Sequence, residues 1–200
     1  MAERLPLVEH FYTIQGEGYH TGKPAYFIRI GGCDVCCNFC DVKPSWNMEL
    51  HPVVQISDIE TLIEATGATD VVITGGEPLL TDLTNLCNAL KKKNLRTYLE
   101  TSGSAPLTGV WDWICLSPKQ NKTPLPDFYS YADELKVVIA CEEDFEWAEF
   151  CRKKVKSSAK LYLQPEWSKH KKITKTIVDY IKAHPHWNLS LQIHKFIHIP

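Results

Sequence analysis

Four of the chain's eight cysteines fall within eight positions, in Gly31-Gly32-Cys33-Asp34-Val35-Cys36-Cys37-Asn38-Phe39-Cys40-Asp41. Taking Cys33, Cys37 and Cys40 gives C-x3-C-x2-C, three thiolates on one short loop that can close around one face of a cuboidal iron–sulfur cluster. Three ligands leave one iron open to a small chelating molecule, whereas a structural zinc site takes four protein ligands and a closed shell. The spacing therefore points to chemistry, with a non-enzymatic zinc-binding module as the competing interpretation.

Other polar groups punctuate apolar runs. In Phe11-Tyr12-Thr13-Ile14-Gln15-Gly16-Glu17-Gly18, two glycines flank a carboxylate, as in a tight turn that approaches a ligand or in a plain polar turn between strands. Arg29 interrupts Tyr26-Phe27-Ile28-Arg29-Ile30; an unpaired guanidinium there is costly, so it points outward or meets an anion. Gly75-Gly76-Glu77-Pro78 follows a β-branched run, placing bare backbone and an anionic acceptor, suited to an α-ammonium group, at a strand end.

The elements that must position these groups alternate. Strands are expected over Pro24 to Ile30, Asp70 to Thr74, Arg96 to Glu100, Trp113 to Leu116, Glu134 to Ile139 and Leu161 to Gln164, with a last strand over Leu189 to Ile193. Between them, Ser57-Asp58-Ile59-Glu60 reads as a capping box opening a helix; Leu83, Leu86, Cys87 and Leu90, then Phe145, Ala148 and Cys151, then Ile173, Ile177, Tyr180 and Ile181 mark helical faces. Polar residues at strand carboxyl ends within a β-α alternation predict an α/β fold, a barrel-like parallel sheet with its site at that edge. Some six strands in 200 residues make it an incomplete TIM-like barrel, because closure typically takes about 250. The apolar end of the chain is expected to pack against the body.

One domain over 1–200 is expected from the length and the 44% hydrophobic content. A net charge of −2 gives no electrostatic footprint for nucleic acid, and no run has the character of a signal peptide or a membrane span, so a cytoplasmic protein with reduced thiols is expected.

The cysteine spacing with Phe39 before the last thiol resembles the signature of the radical S-adenosylmethionine superfamily, and Gly-Gly-Glu-Pro resembles its methionine-binding motif. F-Y-T-I-Q-G-E-G-Y, G-K-P-A-Y-F-I-R-I-G-G-C, G-G-E-P, E-T-S-G, L-S-P-K and Q-I-H-K-F-I-x-I-P, in that order, narrow the resemblance to the 7-carboxy-7-deazaguanine synthase family. It implies a modified radical SAM core and a lyase that contracts 6-carboxy-5,6,7,8-tetrahydropterin to 7-carboxy-7-deazaguanine with loss of ammonia, in the pathway to the transfer-RNA base queuosine. A [4Fe-4S] cluster and S-adenosylmethionine would generate a 5′-deoxyadenosyl radical, with the cofactor regenerated. Cys33, Cys37 and Cys40 would hold the cluster, Cys36 having no counterpart. Gly76, Glu77, Gly103, Ser117, Pro118, Lys119 and Gln164 would bind S-adenosylmethionine. Ile14, Gln15, Gly16, Glu17, Arg29, Thr101, His194 and Pro200 would meet the substrate, with Arg29 on its carboxylate. The family's magnesium ligand is a threonine after the Asp of the cysteine loop; here Val42 stands there, which puts magnesium in doubt. An electron donor such as flavodoxin or ferredoxin and a homodimer are also implied. A radical activase acting on a partner protein shares the cysteine spacing and is the alternative within enzymes.

Overall fold

Nine strands form one sheet in the computed structural model, which describes residues 3–200. They are β1 (Arg4–Ile14), β2 (Pro24–Ile30), β3 (Val53–Gln55), β4 (Asp70–Gly75), β5 (Arg96–Thr101), β6 (Trp113–Leu116), β7 (Glu134–Ile139), β8 (Lys160–Pro165) and β9 (Asn188–Leu189). Their order is β3-β1-β2-β4-β5-β6-β7-β8-β9; β1 runs antiparallel to β2 and β3, and every pair from β2 to β9 is parallel. The fold is α/β, an incomplete barrel whose edges are the short strands β3 and β9.

Alternation along each strand sorts side chains to two sides. On β2, Tyr26, Ile28 and Ile30 join the large apolar core, to which the helices α1 (Ile56–Glu64), α2 (Thr84–Lys92), α4 (Asp144–Arg152) and α5 (His170–Ala183) contribute Ile59, Leu86, Ala148 and Ile177; α3 (Phe128–Tyr131) is a single turn. The other side of the sheet is layered. Phe27, Val72, Tyr98 and Trp113 lie in register across four strands as an apolar floor. One step further along, Arg29 lies beside Thr74, and Glu100 beside Cys115, which pairs with Glu134. Polarity thus rises toward the carboxyl ends of the strands.

Four expectations are corrected. The sheet has nine strands, because β1 and β3 extend it past β2 beyond the six or so expected in the barrel and the last strand at its other edge. The first helix starts at Ile56 with no side-chain cap: β3 runs straight into it, and the Ile56 N–H goes to the Glu3 carbonyl across the sheet edge, leaving Ser57 inside the helix. The last strand stops at Leu189 and residues Ile193–Ile197 form a helix, α6. There Ser190 turns its side chain to Gln164 and Gly18, which pulls the chain off the sheet. The apolar end packs only in part: Phe196 lies edge-on against Trp167 and His170, yet Phe196 and Ile197 stay about half exposed, at 48% and 53%.

Candidate active site

The strand ends and the cysteine loop enclose a cavity of about 310 Å³, within the size range of small-molecule sites. The loop is held by backbone. Gly32 N–H donates to Ser45 (2.7 Å), Cys33 N–H to Trp46 (3.1 Å) and Cys40 N–H to Cys37 (3.0 Å). Beyond it, Asp34 pairs with Lys122 and accepts from Ser104 Oγ (2.8 Å), while Asn121 donates to the Val35 carbonyl (2.7 Å). Cys33, Cys37 and Cys40 all line the cavity. Cys36 does not; it sits in the left-handed region at φ 49° with its thiol exposed.

Burial pushes the Cys33 and Cys37 thiols up, so the bare side chains keep their protons until a metal replaces them. The Trp46 indole N–H points at Cys40 Sγ (3.4 Å), a donor suited to a ligand sulfur. Among the described residues no three His, Cys, Asp or Glu side chains converge on one ion. A cuboidal cluster takes each thiolate on a different iron, so the three cysteines fit that group without converging on a point.

β4 ends directly against this loop. Glu77 N–H donates to the Gly32 carbonyl (2.8 Å), and a Cβ at Gly76 would lie 2.4 Å from Gly32 O and 2.6 Å from Cys33 Cβ. Gly76 therefore admits only hydrogen. The Glu77 side chain is fully buried behind the wall rather than in the cavity. It accepts from Leu79 N–H (3.2 Å), Thr101 Oγ1 (2.6 Å), Ser102 N–H (2.9 Å) and Ser102 Oγ (2.5 Å), which occupies the acceptor sites of both oxygens. It ties the ends of β4 and β5 together and leaves Gly76, Thr101 and Ser102 on the surface of the cavity.

The remaining residues marked for the cofactor divide. Ser117, Lys119 and Gln164 line the cavity, whereas Gly103 and Pro118 lie outside its lining. Gly103, at φ 74°, is packed against Leu116, Phe128 and Pro124, where a side chain would collide. Lys119 donates to the Ser117 carbonyl (2.5 Å) and hydroxyl (2.7 Å), and burial holds its ammonium below the usual lysine range.

The same cavity is lined by Ile14, Gln15, Gly16, Glu17, Arg29, Thr101, His194 and Pro200. Arg29 Nε donates to Glu9 on the neighbouring strand (2.6 Å), so its charge is compensated while its other N–H groups stay available. The chain end docks here through Ile193 N–H to the Gly16 carbonyl (2.9 Å) and Gln192 to Glu17 Oε1 (2.9 Å). Burial lowers the His194 pKa, so its ring is neutral at neutral pH. Lys195 pairs with Asp41, bridging the chain end to the cysteine loop.

The position associated with magnesium does not fit a hard cation. The Val42 side chain has no oxygen, its carbonyl already accepts from Ser45, and Asp41 is already paired with Lys195.

The sequence reading missed Glu100, Lys136, Trp167 and Gln192, all in the cavity wall. Lys136 carried a usable signal, a lone cation inside the apolar run Leu135 to Ile139, the same kind of interruption that singled out Arg29. Gln192 carried none, since its role depends on where the chain end folds back.

The profile of the Radical SAM superfamily matches residues 27–140. The chain is 54% identical over 198 residues to the 7-carboxy-7-deazaguanine synthase of Flavobacterium psychrophilum, covering 99% of this chain and 94% of the relative. It is 47% identical to that of Synechocystis, over 96% and 92% of the two chains. The crystal structure of QueE from Escherichia coli superposes with a TM-score of 0.81 at 30% identity, covering 94% of this chain and 93% of that one. Radical SAM membership implies a [4Fe-4S] cluster and S-adenosylmethionine, which the three cavity thiols and the bare end of β4 fit. With a matched profile over more than half its length and relatives aligned almost end to end, the chain belongs to the 7-carboxy-7-deazaguanine synthase family of radical SAM enzymes.

Proposed function

We propose that residues 1–200 act as one radical SAM domain that converts 6-carboxy-5,6,7,8-tetrahydropterin to 7-carboxy-7-deazaguanine with release of ammonia. The observation that carries the reading is a single cavity lined both by the three thiols and by Gln15, Glu17, Arg29 and His194. When bound, the cluster and S-adenosylmethionine supply the radical that removes a substrate hydrogen.

The chain's own residues orient and enclose. Cys33, Cys37 and Cys40 hold the cluster, and Gly76, Ser117, Lys119 and Gln164 surround S-adenosylmethionine, with Glu77 acting through the backbone it braces. Arg29 turns its unused N–H groups to the substrate carboxylate while Glu9 holds its Nε. Glu17 and Gln15 accept N–H groups of the heterocycle; Ile14, Gly16, Thr101, His194 and Pro200 complete its enclosure. The reading needs no magnesium ligand at position 42, so magnesium titrations of Val42→Thr, which restores a hydroxyl, should be steeper than those of the parent. An electron donor such as flavodoxin or ferredoxin and association as a homodimer belong to the same reading.

The test is anaerobic reconstitution followed by incubation with S-adenosylmethionine, a reductant and 6-carboxy-5,6,7,8-tetrahydropterin. The expected result is a product with the mass of 7-carboxy-7-deazaguanine and S-adenosylmethionine recovered undiminished. Stoichiometric 5′-deoxyadenosine with no deazaguanine would favour the activase alternative.

A further inference from the structure

β7 places Glu134, Lys136 and Val138 on the cavity side of the sheet, while Leu135, Val137 and Ile139 enter the apolar core on the other. A lysine there is costly: its side chain is only 5% exposed, and burial disfavours the ammonium. The charge survives because the group has partners. Lys136 Nζ donates to Glu17 Oε2 (2.7 Å), in the loop after β1, and to Glu100 Oε2 (2.9 Å), on β5. Against that burial, Cys115 and the carboxylates of Glu100, Glu17 and Glu134 around it hold its pKa well above the usual lysine range. Cys115 is itself a neutral thiol, its pKa raised by burial, so the carboxylates carry the effect.

Glu17 is correspondingly defined. Burial alone would raise its pKa, but the charge and hydrogen bond of Lys136, with Gln192 and His194, bring it down to about 2. Its Oε2 is engaged by Lys136 and its Oε1 by Gln192. A carboxylate offers about four acceptor sites, so one remains on each oxygen. Two acceptor sites side by side match a ring that presents adjacent N–H donors, the chemistry of an amino-pyrimidinone edge.

We propose that Lys136 is a positioning residue for the substrate: its ammonium, shared by Glu17 and Glu100, fixes the Glu17 carboxylate in the orientation in which it accepts the N–H groups of the heterocycle. The inference rests on the reading of Glu17 as a substrate contact. Lys136 acts through Glu17 and makes no bond to the substrate itself.

The experiment is a double-mutant cycle in the cluster-loaded protein with Lys136→Met, Glu17→Gln and both together. Lys136→Met should raise the KM for 6-carboxy-5,6,7,8-tetrahydropterin on the order of tenfold or more, with a smaller effect on kcat and none on S-adenosylmethionine affinity or cluster absorbance. The double variant should be no worse than Glu17→Gln alone. Additive losses would overturn the proposal, since Lys136 would then act on the substrate directly. Should Lys136→Met fail to fold, Lys136→Met with Glu100→Gln removes one of the two stranded carboxylates and is interpreted in the same way. Carbon-13 NMR of labelled glutamate separates this inference from the functional reading. The Glu17 carboxylate should stay ionised over the whole pH range in which the parent is folded and titrate within that range in Lys136→Met. An unchanged Glu17 titration would sink the positioning role whatever the substrate, whereas a moved titration with wild-type KM in Glu17→Gln would sink only the substrate assignment.

Discussion

At the cysteine loop, the direction of single side chains separates cavity-facing thiols from a solvent-facing one. Cys36 and Cys37 are neighbours in sequence, yet only Cys37 faces the cavity, because the left-handed backbone at Cys36 turns its thiol to solvent. Cys37→Ala should therefore lose bound iron and cluster absorbance, and Cys36→Ala should keep both; equal loss in iron analysis of the two anaerobic preparations would mean a different triad. Glu134 is the second residue with a distinct signature. Its Oε1 has no hydrogen-bond partner, while Oε2 accepts from Tyr19 N–H and the Trp113 indole (both 3.2 Å). Burial raises its pKa from 4.5 to about 7, with Lys136 opposing and Glu100 assisting. A carboxyl whose pKa is higher folded than unfolded takes up a proton on folding, so its contribution is complete below pH 4.5 and is lost as pH rises through about 7. The half-buried His20 and His194, both shifted down, act in the opposite sense. Comparing urea unfolding of the parent with Glu134→Gln isolates the acid: between pH 5 and 8 the parent should lose on the order of 2 kcal/mol relative to the variant. Parallel curves would contradict a proton held at Glu134.

At the scale of elements, the junction of β4 with the cysteine loop is where strand geometry becomes chemistry. Gly76 allows two backbones to touch, and its Cβ would strike a carbonyl oxygen rather than a flexible side chain. Gly76→Ala should cost about 1–3 kcal/mol through overpacking and displace the loop that carries Cys33. A variant with the parental melting temperature and full iron content would show that the loop yields freely. The Glu77 carboxylate braces the same junction from behind, which is why a residue picked out as a ligand from Gly-Gly-Glu-Pro ends with both oxygens engaged by protein donors.

For the molecule as a whole, the open side of the barrel is where an incomplete sheet must be finished by something other than strands. Residues 192–200 do this: none is buried, yet Gln192, His194 and Pro200 line the cavity and Lys195 reaches Asp41 on the cysteine loop. The segment adds walls rather than core. Deleting Gln192 to Pro200 should shift stability by less than about 1 kcal/mol, the range of exposed pairs and half-exposed apolar groups, while abolishing measurable pterin binding by calorimetry. Loss of cooperative unfolding in the truncated chain would show that the segment is part of the core after all.

Residue type and spacing alone marked out the cysteine loop, the β-α alternation and the helical faces around Leu86, Ala148 and Ile177, because thiol spacing and the periods of strand and helix are local properties. Arg29 was also legible, since a polar interruption of an apolar run has a cost wherever it lies, while Gln15, Glu17 and Gly76 stood out only as glycine-flanked turns. The tertiary structure decided the rest. It added β1 and β3 to the sheet beyond β2, started the first helix at Ile56 so that Ser57 is no cap, ended the last strand at Leu189 and turned the Glu77 carboxylate inward. It alone brought Lys136 between Glu17 and Glu100, residues 119 and 36 positions away. A long-range ion pair leaves no periodic trace in a sequence; it forms only when the sheet has set which strand ends face one another.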